Sequence, residues 1–145
     1  MPYRSMADEQ VRAFLTAIPA RTAKLATVRP DGRPHIAPVW YDLDDDGSLV
    51  FNTGESTVKG RNMTRDPRVS LCVDDDRPPF SFVVVEGMAD ISHDLAEVRR
   101  WAGRLGGRYM GADRAEEYGN RNGVEGELLV RVRPARIASA FDLAD

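Results

Sequence analysis

Apolar positions along the 145-residue chain recur at two different periods. Val11, Phe14, Leu15 and Ile18 fall on one face of a helix, and Ser5-x-x-Asp8 before them has the spacing of a capping box. The pattern predicts a helix over about residues 7–18, ended by Pro19. Strand-like runs then follow at residues 23–28, 35–43 and 49–53, separated by Asp31-Gly32 and by Asp44-Asp45-Asp46-Gly47-Ser48. Both separators carry the turn chemistry of tight hairpins. Pro38 interrupts the second run. Proline donates nothing to a sheet ladder, so this strand is expected at an edge, at a bulge, or where a ligand approaches the backbone.

A short polar helix over residues 56–68 is predicted next, stopped by Asp66-Pro67. Residues 69–73 and 82–91 read as the fourth and fifth strands, the latter bent at Gly87. Leu95, Val98, Trp101, Ala102 and Leu105 then mark an amphipathic helix that breaks near Gly106-Gly107, with one more short helix around residues 112–118. A sixth strand is expected at residues 128–133, continuing beyond Pro134 toward Phe141. Strands in hairpin succession with inserted helices argue against a parallel βαβ sheet. They predict a mainly β, six-stranded antiparallel barrel with peripheral helices, since closure removes exposed edges.

Composition adds limits. The length suits one domain, residues 1–145. A hydrophobic content of 42% with 30% charged residues suits an ordered globular chain. A net charge of −3 argues against a dedicated nucleic-acid binder, and no apolar run has the length of a membrane helix. Residues 1–9 show no apolar leader, so a cytoplasmic location is expected. Cys72 is the single cysteine and sits in an apolar run, which reads as a buried, inert thiol. His35 and His93 stand far apart, and no metal-ligand spacing occurs. The triplets at residues 44–46 and 74–76 lack the spaced acids of a calcium loop and read as solvated turns.

One segment departs from the overall acidity. Between Glu55 and Arg68, four cations (Lys59, Arg61, Arg65, Arg68) face two acids (Glu55, Asp66). Cations at a helix start, with free N–H groups and the helix dipole, suit a phosphate or carboxylate. The same run also fits a solvated helix face. Arg65 and Arg68 fit the helix C-terminus, which favours cations, as well as they fit an anionic ligand. His35 and Tyr41 fit either a proton donor or the packed barrel wall. Trp40, Phe51, Phe82 and Trp101 read as core or interface, and Tyr109 and Tyr118 as candidates to cover a substrate pocket. No nucleophile elbow, Walker loop or dinucleotide fingerprint is present, so any enzymatic chemistry would be carried by a cofactor.

An ordered set of fragments carries a resemblance. Leu25-Ala26-Thr27, Asp31-Gly32-Arg33-Pro34-His35, Val39-Trp40-Tyr41, Lys59-x-Arg61-Asn62-Met63-x-x-Asp66-Pro67-Arg68-Val69-Ser70 and Val85-Glu86-Gly87-x-Ala89 resemble the pyridoxamine 5′-phosphate oxidase-like split β-barrel superfamily, of the FMN-binding split-barrel type. Within it, the chain is most similar to the B branch of the flavin/deazaflavin oxidoreductases, the PPOX class that uses coenzyme F420. The resemblance spans about residues 22–91 and returns in the last strand, leaving residues 94–126 poorly matched.

The resemblance implies a homodimer with two cofactor sites at the subunit interface. It implies that Lys59 and Asn62 hold the cofactor phosphate, with Arg61 on the phosphate or an anionic tail. Asn52, Thr53 and Thr57 match positions that hydrogen-bond the phosphate or ribityl chain, and Arg33, Pro38 and Val39 the strand beside the ring. Phe80 falls near a family aromatic at the ring. No catalytic residue is assigned. The implied activity is an F420-dependent oxidoreductase acting on an electron-poor double bond of a small organic substrate. The alternatives are an FMN-dependent flavin reductase or pyridoxamine-phosphate oxidase-like enzyme, and a non-catalytic cofactor- or haem-storage module.

Overall fold

The computed structural model describes residues 4–145; residues 1–3, part of the segment read above as lacking a leader, lie outside the described residues. Helix α1 (Asp8–Leu15) is followed by strands β1 (Ala23–Val28), β2 (Pro34–Val39), β3 (Asp42–Leu43) and β4 (Leu49–Gly54). Helix α2 (Val58–Arg65) then leads to β5 (Arg68–Asp75) and β6 (Ser81–Ser92). Helix α3 (Leu95–Met110), a 3-10 turn at Ala112–Arg114, helix α4 (Ala115–Asn122) and β7 (Glu127–Ala140) complete the chain. Among the described residues, no helix is long and apolar enough to cross a membrane.

The seven strands form one antiparallel sheet in the order β2-β1-β5-β6-β7-β4-β3. Strands β2 and β3 stand at opposite ends of that order, yet only Trp40 and Tyr41 separate them in the chain. Three residue steps reach at most roughly 11 Å. The sheet therefore curls until its two edges nearly meet, and a split remains where β2 has no ladder partner on its free side. The sequence reading had one continuous strand over residues 35–43. The break at Trp40-Tyr41 turns that strand into two and raises the count from six to seven.

Alternation fills the barrel interior. Leu25, Leu71, Val73, Val83, Val85, Phe51, Leu128, Val130 and Val132 point inward and join Met63 of α2 and Val11 and Leu15 of α1 in one core. A second, smaller cluster forms outside the sheet, where Val98 and Trp101 of α3 cover Val50 and Leu129. Strand β4 and the first part of β7, residues 128–130, are thus buried on both faces, which fixes α3 beside the split. Cys72 lies on the outward row of β5 between Leu71 and Val73; it is half-buried rather than enclosed, and burial pushes its thiol pKa up.

The bend at Gly87 is a bulge. Glu86 pairs with Arg136 but Gly87 with Pro134, leaving Ala135 as the extra residue. Pro134, without an N–H, sits where the ladder is already interrupted, so β7 runs through it unbroken. A Cβ on Gly87 would stand 2.6 Å from the Arg133 carbonyl oxygen, so only glycine fits.

Helix α1 ends at Leu15, three residues before the predicted end, and opens at Ala7, whose N–H donates to Gln10 Oε1 at 2.7 Å. Ser5 does not cap it. Helix α3 differs more, since it runs through Gly106-Gly107 to Met110. These glycines serve packing against α4. A Cβ on Gly106 would lie 2.2 Å from Tyr118 Cβ, whereas one on Gly107 would meet Ala115 Cβ at 3.3 Å. Helix propensity favours alanine over glycine by about 1 kcal/mol, but forced overlap of this depth opposes it by about 1–3 kcal/mol. Urea denaturation should therefore find Gly106→Ala destabilised, by up to about 2 kcal/mol net. The same change at Gly107 should leave the midpoint nearly unmoved.

Candidate functional site

A groove of about 500 Å³ opens along the split. One wall is the free edge of the barrel: Pro38 and Val39 of β2, then Trp40, with Thr22 beside them at the start of β1. The opposite wall is the end of β4, Asn52, Thr53 and Gly54, continuing into Thr57 and Lys59 at the start of α2. Ala102 and Leu105 of α3, Asn122 of α4 and Glu127 of β7 close the remaining side. Six of the sequence-predicted residues therefore converge here: Pro38, Val39, Asn52, Thr53, Thr57 and Lys59. Pro38 lies opposite Lys24 on an edge strand, so its missing N–H removes no ladder bond.

The tight junction of β4 and α2 sets the polar end. Thr57 caps the helix, its Oγ1 accepting from Gly60 N at 3.0 Å and donating to Gly54 O at 2.7 Å. Thr53 Oγ1 lies 3.3 Å from Thr57 Oγ1. The close approach needs Gly60, where a Cβ would lie 2.2 Å from Gly54 O. Lys59 makes no ion pair or hydrogen bond among the described residues, so its ammonium is available to the groove. Glu127 faces the same end. Its Oε2 is buried with no hydrogen-bond partner among the described residues, and burial pushes its carboxyl pKa up, partly offset by the Lys59 charge.

The remaining predicted residues are placed differently. Arg33 and Arg61 line a second groove on the far side of α2, with Arg29, Asp31 and Arg65. Arg33 is paired with Asp31 at 2.7 Å, while Arg61 makes no ion pair among the described residues. Asn62 borders this groove, but its side chain is buried and its Nδ2 donates to Thr27 Oγ1 at 3.0 Å. That bond staples α2 to β1, and it leaves the Asn62 amide little reach toward a phosphate beside Lys59. Phe80 lies in the β5–β6 turn with φ of 63°, 40% exposed, and lines neither groove. Its N–H donates to Arg77 O at 2.9 Å, closing the β5–β6 turn.

Arg65 donates to the Val28 carbonyl oxygen and Arg68 pairs with Asp66, so both hold the helix end. Their guanidinium partners are within the fold. Tyr41 is buried, its hydroxyl donates to Leu15 O at 2.6 Å, and burial holds its pKa far above the usual phenol range, which removes it as a proton donor. His35 sits in β2 opposite Thr27 and does not line the groove.

Sequence reasoning missed the role of Trp40, which shapes the apolar wall. Its ring is stacked on Tyr109 (centroids 5.2 Å apart, planes at 4°) and meets Tyr118 edge-on at 5.6 Å. The two tyrosines therefore act behind the wall rather than covering the groove. Tyr109 also binds the linker directly: its hydroxyl accepts from Tyr41 N at 3.1 Å and donates to Arg21 O at 2.7 Å. Arg108 completes the hold, donating to Tyr41 O and Leu15 O.

Residues 7–139 match the sequence profile of the family described as pyridoxamine 5′-phosphate oxidase. The chain belongs to that family. Among its relatives, a 5a,11a-dehydrotetracycline/5a,11a-dehydrooxytetracycline reductase of Streptomyces rimosus is 34% identical over 73 residues, 46% of this chain. The match spans 51% of that reductase, about half its length. Among solved structures, a conserved hypothetical protein from Mycobacterium tuberculosis aligns with a TM-score of 0.83 at 27% identity, covering 98% of this chain and 91% of the other. A protein described as an F420 reductase aligns with a TM-score of 0.63 at 30% identity, covering 81% of this chain and 88% of the other. The split-barrel fold of this family is the curled, seven-stranded sheet described above.

The Asn62–Thr27 staple is testable by itself. Asn62→Ala leaves a buried hydroxyl without its partner and should lower stability by about 1–3 kcal/mol in urea. A double-mutant cycle with Thr27→Val should show the two changes costing less together than their sum.

Proposed function

We propose that this pyridoxamine 5′-phosphate oxidase family member is a reductase that binds coenzyme F420 along the split of its barrel. Its substrate is a small organic molecule with an electron-poor double bond. The observation that carries the reading is the polarity of the groove. An apolar wall of Pro38, Val39, Trp40, Ala102 and Leu105 suits a planar ring, and the opposite end presents Thr53, Thr57 and the free Lys59 ammonium to an anion. The residues present fit the group. Lys59 and the α2 N-terminus suit its phosphate, the Thr53 and Thr57 hydroxyls its polar chain, and the free β2 edge the ring. The reductase relative and the F420 reductase structure support this choice of chemistry.

When bound, reduced F420 supplies a hydride. The protein's part is positioning, with the ring held against β2 so that substrate meets it from the open side. Arg61 and its neighbour Arg29 suit the anionic tail that extends past the phosphate. Asn62 enters this proposal as the residue that fixes the angle of α2. FMN presents the same phosphate and a similar ring, which makes an FMN-dependent enzyme the second reading. A homodimer with sites between its copies is part of the proposal. Ile36 and Met88, 67% and 56% exposed on the outward face of the sheet, favour such a covered face.

Absorbance and fluorescence titration of the protein with F420, FMN and haem tests the reading. F420 should bind. Retention of FMN with no response to F420 would transfer the site to the FMN reading, and binding of haem alone to the storage reading. Lys59→Ala removes one charge-assisted contact and should weaken F420 binding by roughly 1.5–3 kcal/mol, about 10- to 150-fold. Unchanged affinity would place the phosphate elsewhere.

A further inference from the structure

Lys59 and Glu127 meet at the polar end of the groove, where β7 adjoins the end of β4 that leads into α2. Their charges interact, yet they do not form an ion pair. Glu127 Oε2 is buried and lacks a partner, an arrangement a carboxylate tolerates poorly. Few other charges face it. From the β4–α2 turn, Glu55 lies near Gly126, its Oε1 3.9 Å from where a Cβ would stand. Glu125 precedes it on its own segment and is exposed. The α3 wall contributes only Ala102 and Leu105, the α4 end Asn122, and β4 the backbone of Gly54 opposite it. Among the described residues, Lys59 is therefore the one cation lining this end of the groove, and it is also the group a phosphate would engage.

We propose that Glu127 takes up a proton when the anionic end of the ligand binds beside Lys59, and then donates a hydrogen bond to that ligand. This rests on the assignment of the groove to a phosphorylated cofactor. An incoming phosphate draws on the Lys59 charge that favours ionised Glu127 and adds negative charge at the same place. The carboxylate must then leave, repel the ligand, or become neutral. Oε2 is enclosed and has no hydrogen-bond partner among the described residues. Protonation removes the repulsion, and the resulting O–H gives the orphaned oxygen a partner. The balance is simple: one proton passes from solvent to the carboxylate, and no other bond changes. Glu127 thereby makes cofactor retention sensitive to pH.

The sign follows by linkage. The carboxyl already holds its proton more tightly than a free glutamate because it is buried. A bound anion tightens that hold further, so the complex carries more protons than the free protein. Affinity is then greatest at acid pH and falls as pH rises from the free-protein pKa through that of the complex, by up to tenfold per pH unit. Glu127→Gln, neutral and a donor at every pH, should hold the ligand as tightly as wild type does in acid and lose this part of the pH dependence.

Calorimetric titration with F420, and in parallel with FMN, in buffers of different ionisation enthalpy reads the protons exchanged. Wild type should take up more protons than Glu127→Gln; titration of the ligand itself is common to both and cancels. Carboxyl ¹³C NMR of wild type gives an independent reading, in which the Glu127 midpoint should rise on adding ligand. Equal proton exchange in both proteins, or a midpoint that stays or falls while ligand binds, overturns the proposal and leaves the cofactor assignment standing. Failure of both F420 and FMN to bind overturns both.

Discussion

The structure depends on a short covalent constraint: Trp40 and Tyr41 alone join two strands that lie at opposite ends of the sheet order. No open, gently twisted sheet of seven strands satisfies that link, so the sheet must curl. Curling encloses the core, and it leaves a seam at which β2 has no partner. A seam of unpaired backbone is normally a liability. Here Pro38 removes one donor from it, and the groove makes use of the edge that remains.

The link is held in place by α3. Tyr109 bonds the Tyr41 backbone and stacks on Trp40, while Arg108 ties Tyr41 to the end of α1. Trp101 fastens the same helix to the outer face of β4 and β7. The helical hairpin α3–α4 is therefore a brace for the split, and Gly106 lets the two helices close around Tyr118. Through Trp40, that brace sets the apolar wall. Through Ala102, Leu105 and Asn122, it also borders the groove directly.

At the polar end, local chemistry and long-range packing act together. Thr57 and Gly60 start α2 hard against β4, and Asn62 anchors the helix to β1 from behind. The helix then divides its cations between two grooves, Lys59 to the split and Arg61 to the hairpin side. Lys59 thus shares its end of the groove with the Thr53 and Thr57 hydroxyls and with Glu127, whose Oε2 is buried.

Much of this was legible in the chain. Residues 23–28 alternate and bury every second side chain as their pattern requires, and Asp31-Gly32, Gly47, Gly87 and Pro38 mark the turns, the bulge and the edge. These are local matters, set by backbone sterics and side-chain period. The polar run around Lys59 likewise marked the capped, cation-bearing start of α2, because caps and helix starts act over a few residues. What depended on distant contacts was hidden. Gly106-Gly107 reads as a helix end by propensity and is instead a packing surface, since only the position of Tyr118 reveals why a side chain is excluded. Asn62 looks like a ligand beside Lys59 until Thr27, thirty-five positions away, is seen to hold its amide. Glu127 carries no signal at all, because a single glutamate at a strand start becomes notable only when the fold buries its Oε2 at the end of the groove that Lys59 lines. The sequence by itself determined the strands, the turns and the sign of the site; only the tertiary structure decided which side chains face the groove and which brace it, because facing is a property of distances that the order of residues does not contain.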